Sequence, residues 1–205
     1  MASRILAPIF LIAAAPALVA MPAFATEIPN WPCKAPYKES LTTADVWKGP
    51  PPPAQGDWRD DKDAHDLVTF AVNPENSPNT GRAKIRDYTA KLGADKTRGA
   101  GLVLQGLVDE TNVLRKALIA GIRDLYIKAD ILGDAVKNDD AMLAEVPANE
   151  AQKRQDIQKA RKTNFRNKDD AEEETDFTCY RLGYVEKKLR LLTEELQAQL
   201  HAQDQ

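Results

Sequence analysis

The chain has 205 residues, a formal net charge of −3 and 43% hydrophobic residues. This length and composition suit one globular domain with its own core. Nucleic-acid binding needs a clustered basic face, which a mildly acidic chain does not indicate. We therefore expect no nucleic-acid partner.

Residues 1–25 have the pattern of an export signal. A short start with one positive charge, Arg4, precedes an apolar run over residues 5–20, and residues 23–25 (Ala-Phe-Ala) have the small-x-small form of a cleavage site. Prolines interrupt the apolar run, which favours a cleaved signal over a membrane anchor. After cleavage near Ala25, no second apolar run is long enough to span a bilayer. The sequence therefore predicts a periplasmic protein.

Cys33 and Cys179 are the two cysteines of the chain, and both follow the predicted signal. In an oxidising compartment they predict one disulfide that ties the N-terminal segment to the last helix. A catalytic redox pair is disfavoured because the two residues are far apart and no Cys-x-x-Cys motif is present. Closing so long a loop restrains the unfolded chain by about 5 kcal/mol. We expect reduction to free the N-terminal arm before it melts the helices.

Residues 26–60 predict an extended arm. They contain all three tryptophans of the chain: Trp31, Trp47 and Trp58. Four consecutive prolines at positions 50–53 favour polyproline II, and one short helix is expected near residues 40–47, capped by Thr42 or Ser40. Because exposed tryptophans are costly, the arm should lie against the helices. A proline-motif ligand for a partner protein is the alternative.

Residues 61–205 have helical periodicity and predict a bundle domain. The first apolar set recurs at i, i+3, i+4 and i+7: Ala64, Leu67, Val68 and Ala71. Asn73-Pro74 should end this helix. A second helix is expected over about residues 80–92, closed by Gly93.

The longest apolar pattern of the chain lies between residues 100 and 137, and its breadth indicates burial against two neighbouring elements. Nine side chains form it: Leu104, Leu107, Val108, Leu114, Leu118, Ile122, Leu125, Leu132 and Val136. Four glycines in the same stretch allow a close backbone approach: Gly101, Gly106, Gly121 and Gly133. Asn138-Asp139-Asp140 should interrupt this helix, and Val146-Pro147 should end the short piece after it.

Residues 148–205 predict either one long helix or two. Their apolar seam has coiled-coil spacing: Leu182, Val185, Leu189, Leu192, Leu196 and Leu200. Cys179 lies three residues before the seam, on the same stripe. A basic block at 153–168 precedes an acidic block at 169–176. Both blocks would complement helix dipoles if the helix broke near residues 164–167, so a break or kink is favoured.

The same charged blocks could be a solvated helical face, an acidic patch for a cation such as Ca²⁺, or a basic patch for an anionic partner. Calcium loops need oxygen ligands at alternating positions and a glycine at the turn, and neither feature occurs in this segment. We expect a solvated face and no metal site.

Motifs for catalysis do not occur in this sequence. His65 falls on the polar side of the first helix pattern, and His201 is close to the C-terminal end. The sequence has no His-Glu-x-x-His, Cys-x-x-Cys-His or Gly-x-Ser-x-Gly motif. Acid pairs such as Asp139/Asp140 are usually solvated when they lie on a surface. We expect a protein that is not an enzyme and carries no cofactor.

The segment Ile-Pro-Asn-Trp-Pro-Cys at residues 28–33, followed by the pattern of residues 41–50, resembles a group of uncharacterised small exported α-helical proteins of proteobacteria. The similarity extends through an Asn112/Arg115 pair to the region of Glu186, near the second cysteine. No activity is known for that group. The resemblance therefore implies a shared fold and cysteine bridge, and it transfers no functional residues.

Together these patterns predict an all-α helical bundle with long antiparallel helices and a Pro/Trp-rich extended N-terminal arm pinned by a disulfide. We expect a periplasmic, non-enzymatic interaction or accessory protein with protein partners, such as an adaptor of an envelope enzyme, transporter or respiratory complex. Two alternatives stay open. One is a helical-bundle binder of a small molecule or metal in a glycine-lined cavity, and the other is a chaperone-like envelope stress protein.

Overall fold

The computed structural model describes residues 30–202, and within them all regular secondary structure is helical. The predicted signal peptide at residues 1–25 lies outside the described residues. The elements in chain order are α1 Thr43–Val46, α2 Lys62–Val72, α3 Pro78–Lys91, a 3-10 turn Gly93–Asp95, α4 Lys96–Glu145 and α5 Ala151–His201. The predicted all-α fold is confirmed.

Local sequence signals set the ends of the short helices. Asp61 caps α2 by accepting a hydrogen bond from the Ala64 N–H (3.1 Å). Ser77 caps α3 by accepting from the Thr80 N–H (3.2 Å). Gly93 follows α3 with a φ of 52°, a left-handed conformation that glycine adopts most readily. Both helices therefore lie close to where their periodicity and caps predict them.

Helices α4 and α5 form one long antiparallel hairpin. They contain 50 and 51 residues, which corresponds to about 75 Å each at 1.5 Å per residue. Helix α4 ends at Glu145, directly before the predicted Val146-Pro147 terminator. Among residues 30–202, no helix combines the length and the apolar character that crossing a membrane would need.

The predicted interruption of α4 is wrong, because this helix continues through residues 138–140. Of the two alternatives for the last segment, one long helix is observed, and the favoured break is absent because α5 continues through residues 164–167. The two segments lie opposite each other in the hairpin and bond to each other. The Asn164 side chain donates to the Asp139 carboxylate at 2.8 Å, and Asp139 is buried. Polar residues that would end an isolated helix are thus satisfied across the helix pair.

The main core lies where the hairpin packs against the short helices, with α2 mainly on α4 and α3 mainly on α5. Its aliphatic members include Leu67, Val68, Ile85, Leu102, Leu104, Leu107, Leu189, Leu192 and Leu196. Close packing explains one small residue of α3: a Cβ on Gly81 would lie 2.7 Å from Cδ2 of Leu192. The predicted apolar set of α2 therefore faces this core. Leu189, Leu192 and Leu196 of the predicted α5 seam do so as well.

The N-terminal arm lies against the bundle, as its tryptophans predict. Trp47 and Trp58 are 7% and 2% exposed. Two glycines of α4 make room for the arm. A Cβ on Gly101 would collide with the Pro53 carbonyl oxygen, and a Cβ on Gly106 would lie 2.8 Å from the Trp58 ring. The space above these two glycines is therefore filled by the chain's own arm.

Lys188 ties the connection between α2 and α3 to α5. Its ammonium group donates to the backbone carbonyls of Asn73 (2.6 Å) and Asn76 (2.8 Å). Burial lowers the pKa of Lys188. Because the last carbonyls of a helix have no partner within that helix, this lysine satisfies backbone groups just after α2.

Glu195 is a buried carboxylate that joins α5 to α3. It accepts from Arg82 (2.9 Å) and Gln199 (3.0 Å) and pairs with Arg86 (3.0 Å). Burial by itself would raise the pKa of Glu195, but these three hydrogen bonds outweigh it and lower the pKa below its usual value. The ionised form is therefore the one that the fold stabilises.

We expect Glu195→Gln to destabilise the protein by about 1–3 kcal/mol near neutral pH, because the charge-assisted hydrogen bonds are lost. Since the folded-state pKa lies below the ordinary 4.5, the contribution of Glu195 is fully present above that value. It disappears as the pH falls through the folded-state pKa. Urea unfolding across the acidic range should show the gap between variant and wild type closing. Glu194→Gln, at an exposed neighbour, is the control, and a gap that is independent of pH would contradict the assignment.

Candidate functional site

The disulfide joins Cys33 to Cys179, as the sequence predicts, with Cα atoms 5.4 Å apart. It lies in a small apolar cluster between the arm, α4 and α5. That cluster contains Trp31, Tyr37, Leu118, Ile119, Ile122 and Leu182. Cys179 therefore belongs to the stripe that continues into the α5 seam, and the bridge ties the start of the described arm to the middle of the hairpin.

Beside the bridge, Arg115 fastens the arm to both long helices. Its side chain is almost fully buried. The guanidinium donates to Glu186 of α5 at 2.9 Å, and to the arm carbonyls of Lys38 at 2.7 Å and Glu39 at 3.3 Å. The five N–H groups of arginine suit such a fork, so the buried charge has acceptors on two other elements.

Asn112, one turn earlier on α4, holds the next part of the arm. Its side-chain oxygen accepts from the Leu41 N–H and its amide donates to the Leu41 carbonyl, both at 2.8 Å. We call Arg115, Asn112 and Glu186 the latch. The sequence resemblance included these three positions without a role for them, and the structure shows their role in holding the arm.

The part of the arm that the latch binds also contains a capping interaction of its own, between residues 38 and 45. The Thr42 N–H donates to the Asp45 carboxylate at 2.7 Å, and Lys38 also bonds to Asp45. The hydrogen bond from Lys38, followed by those from Thr42, lowers the pKa of Asp45 to about 2. Helix α1 follows Thr42, as predicted, so the latch binds a segment that is already shaped.

Beyond the latch, the two long helices leave the bundle. We call residues 123–145 of α4 and 151–178 of α5 the distal hairpin. Within these two described segments the buried side chains are Ala129, Asp139, Ile157, Ala171, Thr175 and Thr178. Half of them are polar, so the distal hairpin has a thin apolar core for its length. Helices depend mostly on packing of an apolar face for their stability.

The outer face of α4 carries a row that is apolar except for Asp124. Its members recur at spacings of 4, 3, 4, 3 and 4, and all are exposed: Val113, Ala117, Ala120, Asp124, Ile127 and Ile131. Val113, Ile127 and Ile131 are 60%, 49% and 63% exposed. Heptad spacing of this kind is typical of a seam that packs on another helix. In the part of the chain that the structure describes, no element covers it.

This outer row of α4 is hidden in the sequence because it runs inside the broad apolar pattern of the same helix. Leu118 and Ile122 of the inner set pack toward α5 and the disulfide, whereas Val113 and Ile127 face outward. A second set of residues spaced alternately by four and three, beginning at Val113, is the sequence signal that could have revealed the outer row.

The charged blocks of α5 are divided between an inner and an outer face. Arg161 pairs with Asp140 of α4, with the second of its two hydrogen bonds at 3.3 Å. Lys168 pairs with Glu172 one turn later at 2.6 Å. Arg154 is half-buried and donates to the backbone carbonyls of Leu143 (2.9 Å) and Val146 (2.7 Å). The remaining charged members of both blocks are exposed. The blocks thus contribute partly to the contact between the two helices and partly to an outer charged surface.

Two surface grooves offer less than these helix faces. One, of about 420 Å³, lies between α2 and α3, and the other, of about 460 Å³, lies beside Pro32 on the distal hairpin. Tyr88 borders the first, and burial raises its pKa to about 12. Its hydroxyl is directed at Gly99 of α4.

Among residues 30–202, no group of three His, Cys, Asp or Glu side chains is arranged to hold a metal ion. His65 is exposed and stacks on the Trp58 ring.

We expect loss of the disulfide to release only part of the arm. The sequence alone predicts that the whole arm is freed before the helices melt. The variant C33S/C179S should free residues 30–37, while the latch and the buried tryptophans hold residues 38–58. Far-UV circular dichroism should therefore stay unchanged while the emission of Trp31 shifts, as identified by comparison with Trp31→Phe. A loss of helicity would contradict this prediction.

We expect Arg115→Ala to destabilise the protein by about 3–5 kcal/mol, because Glu186 and the arm carbonyls would lose their donor and the buried side chain would leave a cavity. Urea unfolding with the disulfide intact measures this. Arg181→Ala removes an exposed arginine of α5 and should change the free energy of unfolding by less than about 0.5 kcal/mol. Equal stability of the two variants would show that the latch contributes little.

Comparisons with known proteins identify no relative of this chain. No protein-family model, no curated protein and no solved structure matches this chain. The most informative feature of the described residues is therefore the outer row of α4, where apolar side chains at heptad spacing face solvent.

Proposed function

We propose that this chain is an exported, non-enzymatic accessory protein of the periplasm that binds a helix of a partner protein along the outer row of α4. The observation that carries the proposal is the exposure of Val113, Ile127 and Ile131 at heptad spacing. Scattered exposed apolar residues are ordinary on protein surfaces, but apolar residues that recur along one face of a helix are typical of an interaction surface.

The composition of the row indicates the chemistry of the partner. The alanines Ala117 and Ala120 leave room for a second helix to approach closely, and the larger residues at both ends can fill holes between its side chains. Asp124 lies in the middle of the row and calls for a basic or hydrogen-bonding group opposite it. An amphipathic helix with an apolar seam and one central Lys or Arg fits these requirements.

The rest of the molecule supports the role of an adaptor. The bundle, the latch and the disulfide hold α4 at one end, so that the row extends from the bundle onto the distal hairpin in a fixed orientation. The signal-like residues 1–25 and the disulfide between Cys33 and Cys179 agree with a site of action in the periplasm. Partners of the proposed kind include subunits of envelope enzymes, transporters and respiratory complexes.

We expect I127E/I131E to abolish or weaken binding of the partner at least about tenfold, since it places two charges where the two largest neighbouring apolar side chains of the row would pack. The partner is first captured by the wild-type protein from periplasm of the native host and identified by mass spectrometry. Binding of the purified pair is then measured by calorimetry for the wild type and each variant.

The matched control is A90E/A198E, which adds the same two charges at exposed helical positions outside the row. It should bind as the wild type does, and circular dichroism should show that both variants stay helical. Equal affinities of the two variants, or a wild-type protein that reproducibly captures nothing, would refute the proposed function.

A further inference from the structure

The outer face of α5 carries a second row with a different composition. Its members recur at spacings of 3, 4, 3, 4 and 3, and all are exposed: Lys159, Lys162, Arg166, Asp169, Glu173 and Asp176. The first three are basic and the last three are acidic. This spacing keeps the six side chains on one stripe when two helices pack along each other. We call them the outer row of α5.

None of these six side chains makes an ion pair or a side-chain hydrogen bond within residues 30–202, whereas the inner charges of the same helix do. Arg161 pairs with Asp140, and Lys168 pairs with Glu172. The outer row therefore presents two unneutralised blocks of opposite sign, one after the other along the helix axis. An exposed helix usually intersperses its charges so that neighbours at i and i+4 pair.

The order of charges in the row is self-complementary when it is read in the opposite direction. About a centre between residues 167 and 168, Arg166 falls opposite Asp169 and Lys162 falls opposite Glu173. The same centre places Lys159 opposite Asp176. A shift by one heptad in either direction brings like charges together, either Asp169 against Glu173 or Lys162 against Arg166. A parallel arrangement in register opposes every residue to itself.

We propose that a second copy of this chain docks antiparallel along the outer row of α5, about a two-fold axis between residues 167 and 168. A two-fold interface uses the same surface on both copies, and each of the three ion pairs then forms twice. Because opposite charges steer and orient an association more than they strengthen it, this row selects the antiparallel register.

Aromatic side chains beside the row supply apolar surface for the contact. Phe165 and Phe177 are each 54% exposed, and Tyr180 is 70% exposed. Tyr180 continues the row by one step of four residues, and in the proposed register it meets Gln155 of the other copy. Aromatic residues are enriched at protein interfaces, so the dimer does not depend on the ion pairs alone.

The proposed dimer is independent of the proposed function. It uses the outer row of α5, whereas the partner helix would use Val113, Ile127 and Ile131 on α4. The two rows lie on the outer faces of two helices that pack against each other. Failure of one proposal therefore leaves the other intact.

The experiment reverses each block of charge separately. In K159E/K162E/R166E the row is entirely acidic, and in D169K/E173K/D176K it is entirely basic. We expect the wild-type protein to show a monomer–dimer equilibrium in sedimentation velocity that weakens as salt is added. Each variant alone should be monomeric at the concentrations where the wild type dimerises, and an equimolar mixture of the two should form a heterodimer.

The register is tested by zero-length carbodiimide crosslinking of the wild-type protein, with mass spectrometry of the peptides. A bond between Lys162 and Glu173 can only join two chains, because eleven residues along one helix separate the two side chains by about 16 Å. The corresponding bond between Lys159 and Asp176 is also expected.

A wild type that is monomeric at all concentrations, or folded reversal variants that fail to associate when they are mixed, would overturn the proposal. So would reversal variants that still dimerise alone, because the contact would then use another face. I127E/I131E, altered on α4, should dimerise like the wild type, and its conversion to a monomer would move the self-contact from α5 to α4.

Discussion

The position of one buried guanidinium sets the arrangement of the arm and both long helices. Arg115 carries a full charge with almost no exposure to solvent, and such a charge is tolerated only when it is paired. Its acceptors are Glu186 on α5 and two successive carbonyls of the arm. A slip of α5 by one turn would move Glu186 by about 5 Å and leave the charge unpaired. The register of the hairpin and the path of the arm are therefore fixed by the same group.

Apolar periodicity predicts most of the helices because burial of a stripe is a local property of the sequence. The set beginning at Ala64 faces the main core, and so does the α5 seam from Leu189 onward. The predicted breaks failed for a reason that no single segment contains. Asp139 and Asn164 each disfavour a helix when considered alone, but they face each other across the hairpin and hydrogen-bond at 2.8 Å. Propensity is outweighed where a long-range partner satisfies the polar groups.

The candidate site also depends on long-range contacts that no single segment of the sequence reveals. The glycines of α4 predict that something approaches the helix closely, but only the fold shows that Pro53 and Trp58 of the arm do so at Gly101 and Gly106. The disulfide was predictable because two cysteines in a chain with a predicted export signal allow one pairing. Arg115 has no local signal of its role, since its acceptors are more than 70 residues away in the sequence.

A two-helix hairpin has two outer faces, one on each helix. Here the two faces differ in composition, although solubility would need only mixed charges on both. A solvated helix pair would carry mixed charges on both sides, with neighbouring residues paired along each helix. Instead, α4 presents Ile127 and Ile131 to solvent, while α5 presents separate basic and acidic blocks. The inner face between them buries few apolar side chains for its length. In each of the two proposed contacts, a neighbouring helix would supply burial that the pair itself lacks.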